Sequence, residues 1–336
     1  MRDPVVWPVL GLVLVLLIVA TVVSQVLYVR ARRKPGGVPD VITNLRLRVH
    51  AWWLMVGVML ATAALGSGAL FVLYALLSML ALREFLTLSA TDHEDHRILT
   101  WVFFVLVPLH YVVAATGWYT MFLVLIPVYA FVLIPIHLAL RGQTARFLDR
   151  SAKIQWAVLV CIYFVSYVPM LELVRIEGAP AGNVRLVIFL VLVSQLSDVL
   201  QYVAGKLFGK HPIAPTISPH KTREGLVIGG AGAVLLGTCA WFLTPFGPLG
   251  ALALAAVVVI TGFVGGLVMS AVKRSLGAKD WSQTVPGHGG VLDRLDSLVF
   301  SAPIFFHLVV FFADADVGSV RPEWVDAILR AGLSFP

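Results

Sequence analysis

Apolar residues run through this chain in blocks too long and too continuous for amphipathic surface helices. Ten blocks stand out: Val5–Val29, Ala51–Leu65, Gly68–Leu82, Ile98–Trp118, Tyr119–Leu140, Ile154–Val174, Leu186–Leu207, Leu226–Leu243, Leu249–Met269 and Leu298–Ala313. About 20 apolar residues cross a bilayer as a helix. Lipid offers backbone groups no partners, so each block is expected to be helical. The pattern predicts an all-α, polytopic transmembrane bundle of about ten spans. The second and third blocks are short and meet at Gly66-Ser67-Gly68, which suits a tight hairpin or a re-entrant pair.

Charged positions fall between the blocks and set an orientation. Arg30, Arg32, Arg33 and Lys34 follow the first block, so that block reads as a span and not as a cleaved leader. The excess of Lys and Arg marks cytoplasmic loops, which puts the N-terminus outside. On the same count, the loops carrying Arg141 to Lys153, Lys206 to Arg223 and Lys273 to Lys279 are cytoplasmic. Residues 314–336 form a non-cytoplasmic tail. The expected organisation is N-terminal helices over 1–185, a catalytic transmembrane region over 186–313, and that tail.

Composition agrees. Of 336 residues, 59% are hydrophobic and 13% charged, where soluble domains carry about 25% charged residues. The net charge of +7 fits cytoplasmic loops beside anionic headgroups, not nucleic acid. Cys161 and Cys239 lie singly in apolar runs and are read as free thiols. His50, His110, His137 and His307 read as packed or interfacial, and the acidic loop around His93 and His96 as solvated.

Two stretches hold polar residues that a bilayer penalises. In the first, Asp198 sits inside an apolar block and shares a helical face with Gln201, Tyr202 and Gly205. An ionisable group within a span is a functional candidate. The loop that follows, Ser218–Gly225, offers Ser218, Thr222, Lys221 and Arg223 to a polyanion. In the second stretch, Gly287, Gly289 and Gly290 can present backbone N–H groups to phosphate oxygens. Lys273, Arg274, Lys279 and Arg294 supply positive charge. Asp280, Asp293 and Asp296 are hard oxygen donors suited to Mg²⁺, and Asp293 and Asp296 share a face if the last helix begins there. Cations, aspartates and glycines at one membrane end suit phosphoryl-type transfer.

The second stretch resembles the CDP-diacylglycerol synthase (phosphatidate cytidylyltransferase) family. Ser270, Lys273, Arg274, Lys279, Asp280, Pro286, His288, Gly289, Gly290, Asp293, Arg294 and Asp296 match its pattern in order and spacing. Asp198, Tyr202, Gly205, Ser218, Pro219, Lys221, Thr222, Glu224 and Gly225 match two further family segments. The resemblance covers roughly Leu186–Pro303. It implies an enzyme of the inner cell membrane that transfers CMP from CTP to phosphatidate. It also implies Mg²⁺ at Asp280, Asp293 and Asp296, with a second cation left open, and it is compatible with a homodimer. Asp198, Lys221, Lys273, Arg274, Lys279, Asp280, His288 and Arg294 would serve catalysis, with His288 a phosphate donor or loop-shaper more than a base. Ser218, Thr222 and the three glycines would cradle the nucleotide. The chain departs from the family at Gly266 and Met269, where an aspartate and a glutamate are usual, and at Val199, Gln201 and Arg223. By resemblance, the missing aspartate helps hold the metal, so the sequence marks a divergent branch. Three rivals remain at this point: the same transfer to another lipid phosphate, a lipid transporter or flippase, and a non-catalytic family member.

Overall fold

The computed structural model describes residues 6–33, 38–89, 95–142, 144–176, 184–284, 289–313 and 315–317. Each of the ten apolar blocks is helical over most of its length. In chain order the helices are α1 (Val6–Arg32), α2 (Asp40–Leu65), α3 (Ser67–Leu88), α4 (His96–Ala115), α5 (Tyr119–Ala139), α6 (Phe147–Leu173), α7 (Val184–Phe208), α8 (Gly225–Cys239), α9 (Pro248–Ser275) and α10 (Leu292–Phe312). Among the described residues, all but α2 and the shorter α8 are both long and apolar enough to cross a membrane. The protein is a polytopic helical bundle and an integral membrane protein. A lone residue, Gly66, links α2 to α3 at φ 105°, a conformation that favours glycine. Pro108 and Pro127 each remove an N–H donor, and the chain widens into π turns at Val102–Leu106 and Leu125–Ala130.

The most deeply buried of the spans is α6. The C-terminal helices α7 to α10 pack on one another, while α3 and α6 close the side of α10. Met170, Leu171, Phe189, Phe305 and Phe306 are buried in this core. In contrast, α1 packs mainly on α2 and leaves most of its apolar surface uncovered.

A short antiparallel hairpin, β1 (Pro212–Ala214) and β2 (Ser218–Thr222), joins α7 to α8. Thr222 lies against Gly205, Gly209 and Gly225, where any Cβ would crowd it. Glu224 fastens the hairpin. Its carboxylate accepts the backbone N–H groups of Lys210 (3.0 Å) and His211 (3.2 Å) and meets the His211 ring at 2.5 Å. Those bonds hold its pKa down to about 2.

One expectation needs correcting. The sequence predicts a solvated acidic loop, yet Asp95 at its end is buried. It pairs with the equally buried Arg150 of α6, whose Nε reaches both carboxylate oxygens at 3.1 and 3.2 Å. Sequence spacing carries no trace of this pair, whose members are 55 positions apart. His93 and Glu94 lie outside the described residues. Asp95→Asn is expected to lower stability, because it takes a negative charge away from a buried guanidinium. A fall in Tm of the detergent-purified protein measures it.

Candidate active site

The residues of interest converge where α7, α9 and α10 end beside the β-hairpin. A cavity of about 230 Å³ opens there, lined by Asp198, Gln201 and Tyr202 of α7, His220, Lys221 and Thr222 of β2, Gly225 and Leu226 of α8, Phe263 of α9, and Asp293, Arg294 and Asp296 of α10. Helix α10 begins at Leu292, six residues before the apolar block predicted for it, so Asp293 and Asp296 do share its first turns.

Asp198 accepts a hydrogen bond from the Ser297 hydroxyl at 2.8 Å. Ser297 in turn lies 3.2 Å from Ser194, so a hydroxyl ladder ties α7 to α10 behind the carboxylate. One turn along α7, the Gln201 amide donates to Ser197 at 2.6 Å and forms part of the cavity wall. Asp296 faces the same space. Lys221 reaches in from β2. Its Nζ donates to the Phe263 carbonyl at 3.3 Å and lies 5.0 Å from the centre of the Phe263 ring. Burial lowers the Lys221 pKa from the usual lysine value, opposed by the charges of Asp296 and Asp198.

Asp293 is placed differently from its two neighbours. One carboxylate oxygen accepts from Lys273 Nζ at 2.6 Å, and the other accepts the backbone N–H groups of Trp281 and Gly290, both at 2.9 Å. The carboxylate therefore clamps the loop between α9 and α10, with Lys273 as its buried counter-charge. Gly289 takes φ +82°, and a Cβ there would lie 2.8 Å from that carboxylate. The glycines thus let the loop close around Asp293. The Gly290 N–H is turned to the carboxylate, not to the cavity.

Other candidates lie outside the cavity. Arg274 is committed to the backbone, donating to the carbonyls of Ile217 (3.2 Å) and Ala278 (2.9 Å). Lys279 and Asp280 are exposed and do not line the cavity, and neither does Ser218. Gly287 and His288 lie outside the described residues.

Sequence reasoning missed Glu84. This buried α3 residue accepts the Ser282 hydroxyl at 2.6 Å and the Val291 and Leu292 N–H groups at 2.9 Å each. It satisfies the first free N–H groups of α10 with a carboxylate, the charge that a helix N-terminus favours. A Cβ on Gly290 would approach its carboxylate to 2.4 Å. The neighbouring Phe85 stacks on Trp281 at 5.2 Å. The signal available was an acid just past the end of an apolar block, and its partners stand some 200 positions away.

The two departures on α9 also have places. Met269 is fully buried in the core. A Cβ on Gly266 would lie 2.5 Å from Lys221 Nζ, so the ammonium occupies the space of the absent side chain.

Three carboxylates, one of them paired with Lys273, and the cations Lys221 and Arg294 line one cavity at the end of a membrane bundle, which suits a phosphorylated substrate beside a cation. They define an integral membrane enzyme site of the nucleotidyltransferase kind. The chain belongs to the cytidylyltransferase family, whose family model matches residues 46–312. The Uncharacterized protein YnbB of Escherichia coli (strain K12) is 33% identical over 88% of this chain and 95% of its own length. The phosphatidate cytidylyltransferase of Aquifex aeolicus is 38% identical over 43% of this chain and 54% of that enzyme. That of Mycobacterium tuberculosis (strain ATCC 25618 / H37Rv) is 48% identical over 32% and 33% respectively. Likeness to these two enzymes thus spans about half of their length or less, whereas likeness to YnbB is nearly end to end.

Proposed function

We propose that this enzyme transfers CMP from CTP to phosphatidate at the inner cell membrane, giving CDP-diacylglycerol and pyrophosphate. The observation that carries the reading is the single cavity shared by Asp198, Asp296, Lys221 and Arg294. A phosphate oxygen of the lipid attacks the α-phosphorus of CTP, one P–O bond forms, and the bond to pyrophosphate breaks. Both reactants are anions, so the site must cancel their repulsion. Lys221 and Arg294 bring charge to the phosphates, and positioning with electrostatics carries most of the rate. The lipid phosphate is already largely ionised at neutral pH, so no strong base is required. Tyr202 and Val199 expose apolar surface on α7 beside the cavity, where acyl chains can lie.

The donor set bears on Mg²⁺. Among the described residues, no group of three or more His, Cys, Asp or Glu side chains is arranged to hold a metal ion. Asp293 has both oxygens engaged, and Asp280 stands outside the cavity. Asp198 and Asp296 remain. Mg²⁺ is commonly held by one or two carboxylates together with substrate phosphates, so this pair fits a metal that arrives with the triphosphate. When bound, Mg²⁺ would neutralise charge on the CTP phosphates.

Purified protein with CTP, phosphatidate and Mg²⁺ is expected to release pyrophosphate, and to release none when either substrate is omitted or EDTA is added. Release without phosphatidate, or none with it, would overturn the reading. Gln201 in the cavity wall, where the family usually has a smaller residue, favours one variant of it: the same transfer to a different lipid phosphate. Thin-layer separation of products from a panel of lipid phosphates with labelled CTP distinguishes the two.

A further inference from the structure

The charge balance of the cavity is unusual in one respect. Asp198 and Asp296 face a lysine that is held away from them by its own docking contacts. The Lys221 ammonium rests on bare α9 backbone at Gly266, bonded to the Phe263 carbonyl at 3.3 Å and 5.0 Å from the Phe263 ring centre. A side chain of any size at position 266 would displace it, because the added Cβ would lie 2.5 Å from Nζ. The other nearby lysine, Lys273, is fully committed to Asp293. The carboxylate pair therefore has a lysine parked opposite it, and the parking space exists because residue 266 is glycine.

We propose that Lys221, seated on Gly266, is the resident counter-charge of the Asp198–Asp296 pair and holds down its affinity for divalent cations until nucleotide binds. This rests on the reading that the pair holds the metal. Two cations facing one pair of carboxylates oppose each other, and the opposition is stronger in a partly buried site than in water. When the triphosphate arrives, its oxygens give Lys221 an alternative partner and add ligands for the metal. Free enzyme would then bind divalent cations weakly, and metal and nucleotide would bind together.

The test is Mn²⁺ binding to the detergent-purified full chain, read by electron paramagnetic resonance without nucleotide. Lys221→Gln keeps a donor for the Phe263 carbonyl and removes the charge. Its Mn²⁺ affinity is expected to rise about tenfold, or about 1.4 kcal/mol. Lys221→Met also removes the charge, leaves residue 266 untouched and adds no metal ligand, and should tighten Mn²⁺ by a similar factor. An unchanged or weaker affinity in Lys221→Gln overturns the proposal, and if that variant does not fold, an unchanged or weaker affinity in Lys221→Met does so. Pyrophosphate release by wild-type protein, assayed in the same preparation, separates the two ideas. Tighter Mn²⁺ in the variants with no cytidylyl transfer by wild type would sink the catalytic reading alone. Transfer with no change in Mn²⁺ affinity would sink this one alone.

Discussion

Asp293→Asn is expected to lower cytidylyl transfer by at least about a hundredfold while leaving the bundle inserted. The argument is geometric. Asp293 accepts three hydrogen bonds, one from a buried ammonium and two from backbone N–H groups on either side of the loop between α9 and α10. An amide of the same shape offers one acceptor oxygen in place of two and carries no charge. Its NH₂ would face a donor, and Lys273 would be left buried without a counter-charge, a loss of about 3–5 kcal/mol. That strain falls on the loop, which then lets Arg294 and Asp296 drift at the start of α10. A displacement of about 1 Å at a reacting centre can cost about 10²-fold in rate. The check is pyrophosphate release beside far-UV circular dichroism of the same sample. Near-normal turnover would show that the clamp is dispensable.

The second large effect is expected at Glu84, on a helix that carries none of the matched motifs. Glu84→Ala leaves the Val291 and Leu292 N–H groups and the Ser282 hydroxyl without their carboxylate in a buried place. Each unsatisfied donor costs about 1–3 kcal/mol, so the start of α10 should loosen. Glu84→Gln keeps an acceptor and should recover part of the loss. Because Glu84 does not line the cavity, it is a positioning residue. Its substitution should lower kcat more than it raises KM for CTP. A change confined to KM, or no recovery by glutamine, would contradict that role. A third readout is protease cleavage in the segment around residues 282–291, which should speed up in Glu84→Ala and in Asp293→Asn alike.

The sequence told the helices and the site apart with unequal success. Long apolar blocks leave the backbone one option in lipid, so all ten blocks became helices. Their ends were less legible. Helix α10 starts six residues before its apolar block, because Asp293, Arg294 and Asp296 interrupt the apolar pattern and yet form its first turns. Site residues were recognisable by type, since acids and bases inside apolar runs are conspicuous. Their roles were not, because a carboxylate that binds a cation and one that clamps a loop are the same letter. Asp293 has its oxygens turned to Lys273 and backbone N–H groups, while Asp296, three positions on, faces the cavity. Glu84 and the Asp95–Arg150 pair were invisible for a different reason. They act across long separations, and no local period connects α3 with α10 or the end of an acidic loop with α6.

The clamp on α10 from α3 has a consequence for how portable the chemistry is. Glu84 belongs to the first third of the polypeptide, and the loop that it fastens belongs to the last fifth. The motif-bearing half is therefore not a cassette that could be excised or grafted onto another bundle with its geometry intact. During synthesis, the early helices must wait in the bilayer for their late partner, and the chemistry is assembled only when the two meet.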